Sequence, residues 1–227
     1  MSELWGADEL ADSVEAYFDM QRRIRAGEKV NKTECYRKLD NVHHRTVKAE
    51  ERRFRNISYV LQCMGRDWIP GVSPQSHVGP GPAAEIERAI AAAEGREYEG
   101  IAQFEIAVAK AAEKQWKSPP VGNESPEQTG GSATRFKRDP EVIGYVLHAA
   151  AGVCECCQRP APFKRGNGKP FLETHHVRGL ADGGSDRVSN AVAICPNCHE
   201  ELHHGAKREH RIEHLYRSLE RLVRESS

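Results

Sequence analysis

Cys154-Glu155-Cys156-Cys157, Glu173-Thr174-His175-His176-Val177, Asn190 and Cys195-Pro196-Asn197-Cys198-His199-Glu200-Glu201-Leu202-His203 all fall between positions 154 and 203. Two metal-site patterns are nested in this stretch. The first is a pair of C-x-x-C knuckles, Cys154 with Cys157 and Cys195 with Cys198, separated by 37 residues. Two-residue spacing lets both thiolates of a knuckle face one ion, and two knuckles complete the tetrahedral shell of structural zinc. A closed four-sulfur shell leaves no position for a substrate, so this zinc is expected to be a staple. Cys156 could in principle replace either neighbour, but the spacing favours Cys154 and Cys157.

The second pattern is histidine. Proline often occupies the first helical position, and a helix opened by Pro196 puts His199 and His203 four residues apart on one face. Two imidazoles so placed can bind one ion from one side. His175 and His176 follow a short apolar run and precede a Gly183-Gly184 loop, as on one strand of a hairpin. Strand neighbours point to opposite sides. One of these two histidines can then ligate while the other serves as a base.

The order His-His, Asn, His and a second His four residues on, set around two C-x-x-C knuckles, resembles the HNH endonucleases of the ββα-metal fold. The McrA-type modification-dependent restriction endonucleases are more similar still. Their nuclease domain has the same run of Arg138-Asp139-Pro140, Cys-Glu-x-Cys, Ala161-Pro162-Phe163, Gly168-Lys169-Pro170-Phe171-Leu172-Glu173, His175-His176-Val177, Gly183-Gly184 and the Cys-Pro-Asn-Cys-His block with His203. The resemblance covers residues 136–223. It implies that His176 is the general base, a task suited to a side chain that titrates near neutrality. It implies that His175, His199 and His203 ligate one catalytic divalent ion (Mg2+, Mn2+, Co2+ or Ni2+), and that Asn190 holds the loop that orients the base. His204 reads as a solvated neighbour.

Composition agrees with a soluble, cytoplasmic, bacterial protein. Five of the seven Cys lie in the metal region, which favours metal binding over a disulfide scaffold. There is no signal-like N-terminus and no apolar run of about 18 residues, so no membrane association is expected. The formal net charge is zero, with 33 Lys and Arg against 33 Asp and Glu. Its distribution is uneven: residues 22–55 hold twelve Lys and Arg against five Asp and Glu.

The fold class expected is mainly α with a small α+β domain, in three parts: a helical DNA-recognition domain at 1–117, a flexible linker at 118–135 and a zinc-stapled HNH domain at 136–227. Leu10, Val14, Tyr17, Phe18 and Ile24 fall at helical spacing and Gly27 ends that helix. Asn31 with Glu34 resembles a capping box for a second helix carrying Tyr36 and Leu39. A third helix, 46–64, lines up Val47, Phe54, Ile57, Leu61 and Met64, and its other face carries Lys48, Arg52, Arg53 and Arg55 as candidate DNA contacts. Trp68 is a further candidate, able to meet a base or a methyl group. Residues 70–82 read as an extended connection and 83–117 as a helical stretch broken near Gly95 and Gly100. Pro119-Pro120 and Gly130-Gly131 mark the linker. Pro140 starts a helix, and a last helix is expected over 207–224.

These features together point to a metal-dependent DNA endonuclease acting on double-stranded DNA, of the type that restricts DNA carrying a modified base such as 5-methylcytosine. One such site cuts one strand, so a homodimer is expected on DNA. Two other readings compete: an HNH nuclease or nickase acting on unmodified DNA, and a non-catalytic zinc-stapled DNA-binding protein.

Overall fold

The computed structural model describes residues 5–129 and 135–225. Gly130-Gly131 and the rest of 130–134, inside the expected linker, lie outside the described residues. The chain divides into two compact units, 1–106 and 107–227. No helix of the described residues is long and apolar enough to cross a membrane.

The first unit is helical. It contains α1 (Ala7–Arg25), α2 (Lys32–His43), α3 (Val47–Cys63), α4 (Pro80–Ala93) and the start of α5 (Ile101–Glu113). Local chemistry sets the boundaries. Asn31 Oδ1 accepts from the Glu34 amide and Thr46 Oγ1 from the Ala49 amide, and each satisfies an amide left free by helix geometry. Pro80 opens α4 at its first position, three residues before the expected start. The fully buried Glu87 supplies the cap that α5 lacks, its two carboxylate oxygens accepting from the Ile101 and Ala102 amides at 2.9 and 2.8 Å.

Val14, Tyr17, Phe54, Ile57, Leu61, Ile86 and Ile90 fill the core of this unit at the helical spacing read from the sequence, joined by Met20 and by Ile69 from beyond α3, while Phe18, Ile24, Val47 and Met64 of the expected stripes are only partly buried. Tyr17 enters whole because its hydroxyl is satisfied there, by Ser58 Oγ at 2.8 Å and by the Ile69 amide at 3.0 Å. The basic face of α3 is smaller than expected. Lys48, Arg52 and Arg55 are exposed, Arg55 being paired with Glu51, whereas Arg53 is buried. Helical geometry explains the difference: Arg53 lies beside Phe54 and one turn from Glu50 and Ile57, all on the buried side. Its guanidinium sits 4.1 Å from the centre of the Trp5 ring, and burial pushes its pKa down to about 10. Trp68 is half-buried.

The second unit holds the end of α5, β1 (Gln128–Thr129), β2 (Arg135–Phe136), α6 (Pro140–Ala150), β3 (Glu173–His176), β4 (Ala191–Ile194), α7 (Pro196–His204) and α8 (Arg208–Ser218). β1 pairs with β2 and β3 with β4, both antiparallel, and in the second pair His175 stands opposite Val192 and His176 opposite Ala191. β3, β4 and α7 in succession make the ββα unit. Every residue of β4 is buried, because α6 packs against the sheet through Val142 and Val146 while the knuckles, Leu202 and Leu215 fill the rest of the core. The mainly helical class with one small two-stranded core sheet is as expected.

The last helix is shorter than the expected 207–224: α8 ends at Ser218. Beyond it the backbone makes tertiary bonds that a continued helix would forbid. The Val223 amide donates to Ser189 O at 2.9 Å, and the Arg221 side chain anchors the same segment by donating from its guanidinium to Glu155 Oε2 and Ala191 O at 2.7 and 3.0 Å. The segment before α6 is also tied down, since Asn123 and Asp186 exchange both backbone bonds at 2.8 and 2.7 Å. Gly122, at φ 69°, permits that approach, for a Cβ there would collide with the Asp186 carbonyl.

Candidate functional site

α7 serves both metal patterns. Cys195 is its N-cap residue, Cys198 lies in its first turn, and His199 and His203 follow on another face. Cys154, Cys157, Cys195 and Cys198 bring their sulfurs within 4.8 Å of one another and form the four-thiol group read from the sequence. Cys156 lies outside that group, buried among apolar neighbours. The Cys195 amide donates to Cys154 Sγ at 3.2 Å. Burial raises the Cys154 and Cys198 thiols. Against the same effect of burial, hydrogen bonds from the Arg159 backbone and side chain draw Cys157 down to about 6. Four sulfurs this close cannot all ionise without a cation among them, so the donor set suits a soft divalent ion.

Glu155 was not singled out from the sequence, yet it joins the first knuckle to the sheet. Its amide donates to Ala193 O at 3.0 Å and its Oε2 accepts from the Ala193 amide and from Arg221, each at 2.7 Å. The knuckle is thereby tied to β4 at Ala193.

The histidines converge as well. His175, His199 and His203 bring ring nitrogens within 4.8 Å of one another. His199 Nε2 and His203 Nε2 are 3.3 Å apart. Burial, reinforced by the neighbouring imidazoles, pushes His175 down to about 3, and burial with His199 and His204 lowers His203. Neutral imidazole is the ligating form, so His175 and His203 keep a lone pair free for an ion. Glu173 orients one of them. It sits two residues before His175, on the same face of β3, and its Oε2 meets His199 Nδ1 at 2.9 Å. The carboxylate fixes the Nδ1–H tautomer and leaves Nε2 as the ligand atom.

His176, one residue along β3, points away from the cluster. Its Nε2 meets Asp186 Oδ1 at 2.8 Å, with Asp186 fully buried and His176 7% exposed. The other Asp186 oxygen accepts the Asp139 amide at the start of α6. A carboxylate can only accept, so Nε2 carries the proton and Nδ1 keeps the lone pair.

Asn190 is completely buried and works through the loop between the strands. Its Nδ2 donates to Arg178 O and Ser185 O, both at 2.9 Å, and its Oδ1 accepts the Arg178 amide at 2.8 Å. Clamping Ser185 fixes Asp186, the next residue, and so the ring of His176. Asp186 was invisible to pattern reading because it pairs with a residue ten positions away across a loop with no periodicity. Glu173 could have been found from its period-two relation to His175. His204 is exposed, as read. Lys48, Arg52, Arg53, Arg55 and Trp68 belong to the first unit.

Comparison with known proteins places the second unit's sequence in context. Residues 154–205 match the family model described as HNH endonuclease. Over 109 residues the chain is 41% identical to the type IV methyl-directed restriction enzyme EcoKMcrA of Escherichia coli (strain K12), which covers 48% of this chain and 39% of that enzyme. The chain thus spans about two fifths of that relative's length. Among solved structures, the type IV phosphorothioation-dependent restriction endonuclease ScoMcrA matches with 30% identity and a TM-score of 0.35, covering 51% of this chain and 22% of that one. The chain carries an HNH endonuclease domain similar to that of a McrA restriction enzyme.

Proposed function

We propose that this protein is a metal-dependent restriction endonuclease that hydrolyses phosphodiesters in double-stranded DNA, directed by its first unit to DNA with modified cytosine. The observation that carries the reading is the pairing, on consecutive residues of one strand, of a ligand histidine in a three-imidazole cluster with a second histidine held by a buried carboxylate.

In this reading Cys154, Cys157, Cys195 and Cys198 hold Zn2+, and His175, His199 and His203 hold one divalent ion, Mg2+, Mn2+, Co2+ or Ni2+. When bound, that ion neutralises charge at the scissile phosphate and at the departing 3′ oxygen. The protein's own groups do the rest. His176 accepts at Nδ1 the proton of a water whose oxygen bonds to phosphorus, and the P–O3′ bond breaks as the P–O bond forms. Asp186 keeps the other ring nitrogen protonated and stabilises the imidazolium. Asn190 holds the loop in the register that this requires. Glu173 keeps His199 aimed at the ion.

The modified-base preference draws on what the Escherichia coli relative's name says of that enzyme, and on the exposed Lys48, Arg52 and Arg55 and the half-buried Trp68 of the first unit as its DNA contacts. Residues 1–117 would be the reader, 118–135 the tether and 136–227 the nuclease of a cytoplasmic enzyme. A single site cuts a single strand, so a homodimer on DNA accounts for double-strand cleavage. A second reading, cleavage of unmodified DNA, is favoured by one fact: the 41% identity covers only 109 residues. More than half of this chain has no counterpart in that match.

The test is incubation with unmodified, 5-methylcytosine and 5-hydroxymethylcytosine plasmids in Mg2+ and in Mn2+, beside His176→Ala. Cleavage of modified plasmid alone, lost in the variant, is the expected result. Equal cutting of all three plasmids would discard the modification preference, and no cutting of any would discard the nuclease.

A further inference from the structure

A hairpin stands immediately before the ligand strand. The Arg165 amide donates to Lys169 O at 2.8 Å, the Gly168 amide to Arg165 O at 2.8 Å and the Phe171 amide to Phe163 O at 2.9 Å, with Lys164 bridged to Pro170 between them. Its three-residue loop ends on Gly168 at φ 80°, the left-handed position that loops of this length use.

This register decides which side chains share a face. Alternation puts Phe163, Arg165, Lys169 and Phe171 on one side and Lys164 on the other. The rings of Phe163 and Phe171 stack with centroids 4.5 Å apart and planes 16° apart, and Arg165 Cζ lies 4.7 Å from the Phe171 centroid. Arg165 and Lys169 stand directly opposite each other, an arrangement of like charges that destabilises a ladder. Glu113, at 2.6 Å, relieves Lys169 alone, and among the described residues no carboxylate pairs with Lys164 or Arg165.

The local composition is equally one-sided. From Gln158 to Leu172 there are four cations, Arg159, Lys164, Arg165 and Lys169, and no Asp or Glu, in a chain whose totals balance at 33 each. Phe163 is 54% exposed, the one aromatic among the exposed large hydrophobic residues described. The strand then runs on through Glu173 to His175. Lys169 and His175 are six positions apart, a reach of at most about 20 Å for an extended chain, or about six base steps along a strand of DNA.

We propose that this hairpin grips the DNA backbone beside the cut, with Arg165 and Lys169 as phosphate contacts and the Phe163–Phe171 stack as the support that stiffens them. A phosphate beside Arg165 and Lys169 relieves their mutual repulsion. The planar guanidinium, already held on an aromatic face, loses little freedom in forming a two-pronged contact. Such contacts position the duplex and carry no sequence information. This proposal rests on the reading of the second unit as a DNA nuclease.

The experiment is salt-dependent binding of a short unmodified duplex and its 5-methylcytosine counterpart, measured by fluorescence anisotropy with full-length His176→Ala as parent. Adding Arg165→Ala and Lys169→Ala is expected to lower the slope of log affinity against log salt by about 1.8, at about 0.9 per contact, and to weaken binding about 60-fold at 0.1 M salt. The loss should be the same on both duplexes, and Arg165→Lys with Lys169→Arg should keep the parental slope. Zinc content equal to the parent's verifies that each variant is folded. An unchanged slope on a parent that binds DNA overturns the hairpin contact and leaves the nuclease reading intact, as does a charge-keeping pair that binds as poorly as the alanine pair. A parent that binds neither duplex overturns both.

Discussion

Replacing Asp186 by Asn is the sharpest perturbation of the proposed chemistry because it changes almost no volume. Asp186 uses one oxygen for His176 Nε2, at 2.8 Å, and the other for the Asp139 amide. Asparagine has a single oxygen. If that oxygen keeps the Asp139 amide, which can only donate, the amide nitrogen must face His176 and donate to Nε2. The imidazole proton then moves to Nδ1, and the lone pair that would take the proton from water is gone. General-base catalysis contributes about 10²- to 10⁴-fold, so plasmid nicking measured as a single-turnover rate at saturating divalent ion should fall by that factor. DNA affinity should change less than about threefold, since no DNA contact is proposed for Asp186. Folding should lose only about 1–2 kcal/mol, the difference between hydrogen bonds to a carboxylate and neutral ones. Thermal melting would show that as a shift of a few degrees. A variant that cuts within threefold of wild type, beside an inactive His176→Ala, would show that the carboxylate does not set the working tautomer.

Other outcomes follow from single contacts. Asn190→Ala removes the three side-chain hydrogen bonds that clamp the loop after β3. At about 1 kcal/mol each the loss is about 3 kcal/mol, read by chemical denaturation, with cleavage falling as well; an equally stable, active variant would contradict the clamp. Cys198→Ala breaks the four-thiol group. Metal binding free energy in such small domains is folding free energy, so zinc content should fall and the second unit should unfold by circular dichroism, as should the wild type under a strong chelator. Retained native spectra in either case would show that the knuckles do not need their ion. Tyr17→Phe deletes bonds to Ser58 and the Ile69 amide in the first unit. The stranded buried amide should cost about 2 kcal/mol, seen as a lower midpoint in urea, while the rate of cutting by already bound enzyme stays at the wild-type value.

Much of this was legible in the residue order, for reasons of period and spacing. Two-residue gaps between cysteines and a four-residue gap between histidines are local geometry: a knuckle or one helical turn brings the ligand atoms together whatever surrounds them. The stripes of α1 and α3 are likewise set by helical repeat, which is why Tyr17, Phe54, Ile57 and Leu61 were readable as core. The cap at Asn31 needs only the next three residues.

Tertiary structure decided the rest. Helical position turned Arg53 inward, and the tertiary fold supplied the Trp5 ring against which its guanidinium rests. Helical spacing continued past Ser218, but hydrogen bonds from Arg221 and Val223 to distant backbone ended α8 there. Above all, the partner of His176 came from a loop. His176 and Asp186 are ten residues apart, and what joins them is the Asn190 clamp, the Asn123 bridge and the close approach allowed by Gly122. Each half of the two candidate ligand sets was therefore legible in the sequence, because local repeat fixes it, while the fold brought the halves together. The partner of His176 was supplied only by the fold, since a buried carboxylate finds its histidine through packing and not through spacing.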